Sequence, residues 1–236
     1  MRYNIFLTPA IVAILFCTGT QAQKQMKALT EKGKLIYSTN FTGPLDKKEW
    51  IPEIEPKTPA TVYTEKNKLI LDTKGGVTVW LNKRLTGNIR IEYDRTVLME
   101  GGANDRTSDL NQFWMATDPR NANLFTRSGV LDSYDSLSLY YVGMGGNSNK
   151  TTRFRKYNGA GDRQLLQEYT DTAHLLKPNV TYHITTIVKG NETGFWVNGQ
   201  PYFLYKDSAL LKEGYFGFRS TKSRQAITNV RIYQLQ

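Results

Sequence analysis

Two arginines, three asparagines and three tyrosines crowd into one run of the chain, Tyr140 to Asn158 (YYVGMGGNSNKTTRFRKYN). These side chains suit the recognition of a carboxylate-bearing ligand. If Thr151–Tyr157 is extended, alternate side chains share a face, so Arg153, Arg155 and Tyr157 emerge together while Thr152, Phe154 and Lys156 point the other way. Two guanidiniums about 7 Å apart on one face repel, unless an anion lies across them or local carboxylates pair with each. Both arrangements are compatible with the sequence. Elimination beside a ligand carboxylate would need a cation or amide to neutralise that carboxylate and acidify the adjacent C–H. It would also need a base for that proton and an acid for the departing oxygen. Arg153 and Arg155 could form the clamp, with Asn111, Asn147 and Asn149 as amide donors. Tyr140 or Tyr134 could be the acid or base, since a phenol beside a guanidinium is shifted toward ionisation.

Other residues enter the same reading with a structural alternative beside each. Tyr140 shares its strand face with Ser138, opposite Leu137, Leu139 and Tyr141, and is therefore expected to line a groove; a stacking or packing aromatic is the alternative. His183 is a suitable base by its ordinary pKa. Arg219 lies two residues beyond Gly217 on a polar face, where the glycine leaves room for a ligand. Trp114 and Trp80 could stack on a sugar ring or serve the core. Asp132 and Asp135 could join backbone carbonyls around a structural calcium, although nothing in the residues requires it, and no other cofactor is expected. Gly143–Asn149 offers amides without an acid, unlike an EF-hand loop. Two histidines and one cysteine argue against zinc, and neither a phosphate-cradling glycine loop nor a GxSxG elbow is present.

Short alternating segments must position these groups. Lys34–Ser38, Ala60–Thr64, Lys68–Asp72, Val77–Leu81, Asn88–Leu98, Gln112–Ala116, Ser136–Val142, Thr151–Tyr157, Thr181–Lys189, Gly194–Asn198, Tyr215–Ser220 and Ala226–Tyr233 all read as strands. Asn198-Gly199 is a strong hairpin turn and Lys189-Gly190-Asn191 a weaker one. The only helical turn expected is at Asp207–Leu211. This rhythm predicts an all-β chain of two packed antiparallel sheets, forming a single domain over residues 23–236.

The first 22 residues read as a signal peptide: Arg2 gives a cationic start, Ile5–Phe16 is mostly apolar, and Thr20-Gln21-Ala22 is a small-residue cleavage site. The apolar run is too short for a membrane span, so a periplasmic or secreted location is expected. Cleavage after Ala22 would remove Cys17 and leave stability to a hydrophobic core. A formal charge of +10 points to an acidic partner. With no basic helix or block of like charge, an acidic oligosaccharide or polysaccharide fits better than nucleic acid.

The segments YHITTIVKG…FWVNG and GYFGFRS resemble those of the concanavalin-like lectin/glucanase superfamily of jelly-roll sandwiches. With DLNQFWMA at 109–116 and the YYVG-to-FRKYN segment, the chain is more narrowly similar to the YesU-like branch found beside bacterial polysaccharide-utilisation enzymes. That resemblance implies action on pectin-like or ulvan-like uronic-acid polymers, as a carbon–oxygen lyase or an oligosaccharide dehydratase. It also implies that His183 lies on an outer sheet, where a solvated histidine is expected. The chain departs from the glucanases in lacking their paired-carboxylate ExDxxE strand: the corresponding Ser136–Val142 carries no carboxylate after Asp135. That departure counts against a retaining glycosidase. Two alternatives stay open, a non-catalytic acidic-glycan binding module and a hydrolase using Asp109, Asp132 or Asp135.

Overall fold

Period-two alternation runs through most of the chain, and a computed structural model describing residues 31–236 shows the antiparallel strands it implies. The expected signal peptide, residues 1–22, and Cys17 lie outside the described residues. Gly33–Gln236 packs as one unit. The strands are β1 (Lys34–Thr39), β2 (Trp50–Ile54), β3 (Ala60–Glu65), β4 (Lys68–Thr86), β5 (Ile89–Val97), β6 (Leu110–Thr117), β7 (Ser138–Gly145), β8 (Thr151–Asn158), β9 (Arg163–Tyr169), β10 (Thr181–Lys189), β11 (Glu192–Val197), β12 (Gln200–Lys206) and β13 (Glu213–Gln234).

Two of these strands are long enough to belong to both sheets. The sequence reading divides β4 between Asp72 and Val77 and β13 between Ser220 and Ala226; the structure keeps both extended and bends them. The β13–β4 register slips between Thr221 and Ser223, and Lys222 takes a left-handed φ of 52°. A bulge of this kind turns a strand through a corner. The first half of β13 pairs with β6 and its second half with β5 and β1. A front sheet therefore runs β2-β4-β13-β6-β7-β8-β9, and a back sheet runs β12-β11-β10-β5-β13, with β1 beyond β13 and β3 beside the first half of β4.

Aromatic residues fill the space between the sheets. Trp114, Tyr140 and Phe154 of the front sheet meet Phe195 and Phe203 of the back sheet in one buried cluster with Trp50 and Phe218. Trp114 stacks on Phe154 at 5.5 Å, and Trp50 on Phe218 at 5.4 Å. β2, β9 and β12 were not expected as full strands. All three lie at sheet edges, where one-sided burial is weak and Pro52 or Pro201 is tolerated. Asn198 (φ 51°) and Gly199 (φ 78°) make the expected hairpin turn between β11 and β12. No helix forms at Asp207–Leu211; single 3₁₀ turns occur instead at Leu131–Tyr134 and Thr172–His174. No helix among the described residues is long and apolar enough to cross a membrane.

The outer face of the front sheet has a small core of its own. Leu124, Tyr134 and Leu137, from the connection between β6 and β7, pack with Trp80, Phe113 and Leu139. That connection covers part of the outer face and leaves a polar strip beside it.

Candidate functional site

Strand register builds this strip from side chains that are far apart in sequence. Thr78 of β4 pairs with Arg219 of β13, Arg219 with Asn111 of β6, Asn111 with Gly143 of β7, Gly143 with Arg153 of β8, and Arg153 with Glu168 of β9. Neighbours in such a row lie about 5 Å apart. The next row on the same face runs Trp80, Gly217, Phe113, Tyr141 and Arg155. Two glycines make this surface. A Cβ on Gly217 would overlap the Trp80 ring, and one on Gly143 would overlap the Tyr141 hydroxyl. Tyr141 thus lies along its own strand over Gly143, which brings its phenol beside Asn111.

Of the expected residues, Asn111, Arg153, Arg155 and Arg219 do meet on this face, with Trp80 fully buried in its second row and Asp109 at its end. Their charges are differently disposed from the expected clamp. Arg153 is paired with Glu168. Arg155 donates from Nη1 to the carbonyl of Arg163 at 2.9 Å. Arg219 is 1% exposed and donates from Nη1 to Thr78 Oγ1 (3.1 Å) and the Gly129 carbonyl (2.9 Å). Among the described residues neither Arg155 nor Arg219 has a carboxylate partner. Asn111 Oδ1 and Arg219 Nε are buried with no hydrogen bond, an uncommon condition that marks a place for ligand or solvent.

Tyr141 sits within this field. Burial pushes its pKa well up, Tyr157 and Asp109 push the same way, and Arg219 and Arg155 oppose them. It therefore keeps its proton. Asp109 stands at the end of the strip with a left-handed φ of 59°. Burial raises its carboxyl pKa against contacts from Ser108, Arg106 and Asn111. Arg106 reaches Asp109 Oδ2 at 3.5 Å and Ser148 Oγ at 3.1 Å.

The remaining expected residues lie elsewhere. Tyr140 belongs to the intersheet core, not the groove, and its hydroxyl donates to Asp207, which also holds Lys156 Nζ at 2.6 Å. The sequence reading put Leu137 and Leu139 in the main core, but the covering segment 118–137 gives them an apolar environment on the front face. Tyr134 is buried and donates to Glu53 Oε2 at 2.8 Å. Trp114 has no exposed surface, and its Nε1 donates to Thr193 Oγ1 at 3.0 Å; it cannot stack on a sugar. His183 is on β10 of the back sheet, with Nδ1 2.7 Å from Asp94 Oδ1, too remote to act with Arg155. Asn149 spends its amide on the backbone of Leu176, at 2.9 Å in both directions. Asn147 is exposed in a left-handed turn that also contains Ser148 and Asn149. Asp132 and Asp135 both pair with Arg163. Among the described residues no cluster of three or more His, Cys, Asp or Glu could hold a metal ion.

Tyr141 was not among the expected residues, yet the sequence carries a signal for it. Tyr140, Val142 and Met144 form an unbroken large apolar register, while Tyr141 alternates with Gly143, an aromatic beside empty space.

Comparisons with known proteins bear on the fold. The family model described as a domain of unknown function, DUF6250, matches residues 71–230. No curated protein matches the chain. A Bacillus subtilis protein of unknown function with a galectin-like fold superposes with a TM-score of 0.71 at 17% identity, covering 87% of this chain and 98% of that one. Carbohydrate-binding module CBM66 from Bacillus subtilis gives 0.55 at 14% identity over 79% and 96%. The catalytic domain of an endo-1,3-β-glucanase (laminarinase) from Thermotoga petrophila gives 0.58 at 11% identity over 88% and 100%. The fold is thus the galectin-like, concanavalin-like β-sandwich expected from the sequence.

Proposed function

The chain belongs to the DUF6250 family, and we propose that its front face binds a uronic-acid-containing oligosaccharide and acts on it by β-elimination. One observation carries this reading: Arg155 and Arg219, neither ion-paired among the described residues, stand on the same face as Tyr141, Arg155 as its cross-strand partner and Arg219 one row on, across from Asn111. Two guanidiniums without an ion-pair partner, Arg219 only within the field of Asp109, favour an anion that places an oxygen near that hydroxyl. Arg155 and Arg219 hold the sugar carboxylate and stabilise the charge that develops on it. Asp109 takes the proton from the carbon bearing the carboxylate, since a carboxyl group with raised pKa is a stronger base than an exposed one. The C–O bond at the next carbon breaks, its electron pair leaves with oxygen, and Tyr141 supplies the proton, leaving a C=C bond conjugated with the carboxylate.

Support also comes from the sequence resemblance to polysaccharide-utilisation proteins and from a glucanase and a carbohydrate-binding module among the similar folds. The test is incubation with pectic, ulvan-like and glucuronan fragments while following ultraviolet absorbance of an unsaturated uronate. Rising absorbance is expected, and its absence with all three overturns the proposed reaction. The pairing of Arg153 with Glu168 favours a second reading, capture without turnover, which predicts binding with the ligand mass unchanged.

A further inference from the structure

One guanidinium inside the sandwich lacks a counter-ion. Ile89, Ile91, Tyr93 and Val97 are buried along β5, and Arg95 shares their register and is completely buried with them. Its Nε donates to Gln225 Oε1 at 2.6 Å, Nη1 to the Asn111 carbonyl at 2.7 Å and Nη2 to the Arg219 carbonyl at 2.8 Å. Among the described residues it has no ion-pair partner. Burial lowers its pKa to about 10, so it is a cation at neutral pH. Among the described residues Asp109 is the one carboxylate whose field reaches it, and Asp109 is already shared with Arg106 and Arg219.

Backbone carbonyls alone do not call for this arrangement. Gln225 already serves the carbonyls of Ser108 and Asp109 from the same region through a neutral amide. An unpaired charge in a core is far costlier to bury than an amide. The carbonyls that Arg95 holds belong to Asn111 and Arg219, cross-strand partners on the front face and the two residues there with orphaned buried polar atoms.

We propose that Arg95 is a positioning residue of the front-face site. From the core side it fixes the main chain of Asn111 and Arg219, and it leaves the site with more positive charge than Asp109 neutralises, so that a ligand carboxylate completes the balance. The proposal rests on the acidic-glycan reading above and adds a determinant of its preference for acidic over neutral sugars.

Calorimetric titration of the full chain tests it, with a uronate oligosaccharide and its carboxyl-reduced neutral counterpart as probes. Wild type should prefer the acidic probe. Arg95→Met should lose that preference on the order of tenfold, the scale of one unit charge acting across a sheet, and Arg95→Lys should retain more of it. Gln225→Glu keeps the side-chain length and gives the Arg95 fork a carboxylate partner, while it gives up the amide hydrogens that the Ser108 and Asp109 carbonyls accept; in a folded protein it too should lose the acidic preference while still binding the neutral probe. A folded Arg95→Met or Gln225→Glu protein with an unchanged acidic-to-neutral ratio overturns this proposal alone. If Arg95→Met does not fold, Gln225→Glu decides. A wild-type protein with no acidic preference overturns the acidic-glycan reading, and this proposal with it.

Discussion

A phenol that keeps its proton donates one and does not accept one, and this sets the role proposed for Tyr141. Its raised pKa follows from burial beside Tyr157 and Asp109, only partly offset by Arg219 and Arg155. Replacing it with phenylalanine keeps the ring that packs at 5.4 Å on Phe113 and removes only the hydroxyl. Tyr141→Phe should therefore bind acidic oligosaccharide within a few-fold of wild type but turn it over slower by about 10²- to 10⁴-fold, the usual reach of a general acid. Parallel titration and absorbance assays check this; a variant with full turnover removes Tyr141 from the mechanism. The sequence allowed Arg153, Arg155 and Tyr157 to be placed on one face, because period-two geometry is local. It misled at Tyr140 and Tyr141, because alternation identifies two faces without saying which is inside. Leu137 and Leu139 look like core residues until segment 118–137 is seen folding over them.

That segment is fastened through Glu53, a carboxylate that the sequence reading passed over. Glu53 lies on the edge strand β2, and its Oε2 accepts from Trp80 Nε1 at 2.7 Å and Tyr134 Oη at 2.8 Å. Its Oε1 accepts from the Arg127 backbone at 2.6 Å. Three donors converge on two oxygens, so an amide cannot replace them: one NH₂ would face a donor. Glu53→Gln should cost about 1–3 kcal/mol, the range for a buried polar group left unpaired. The loosening should be confined to residues 118–137, seen as faster amide hydrogen exchange there while β10 exchanges as before. Uniform exchange in both proteins would mean that Glu53 does not hold the segment. Nothing local in Trp50–Ile54 announces this role, because β2 is an edge strand of five residues with a proline, and its partners lie 27 and 81 positions away.

For the whole molecule, a net charge of +10 would add a long-range attraction to the acidic ligand proposed for the front-face strip. Exposed charges are screened beyond about 10 Å at 0.1 M salt. Binding of an acidic oligosaccharide should weaken several-fold between about 50 mM and 200 mM salt, while a carboxyl-reduced ligand should show little change; equal salt dependence for both would remove charge as the basis of selection. The sequence by itself determined the all-β sandwich, the Asn198-Gly199 hairpin and the shared face of β8, since each follows from residue periodicity or from φ preferences over a few positions. Tertiary structure alone decided that Arg219, Asn111 and Arg155 stand beside Tyr141, that Arg153 is neutralised, and that Arg95 lies beneath them. Those relations depend on the register between strands and on a corner bend in β13, where contacts across more than a hundred residues set the geometry and local pattern carries no record of them.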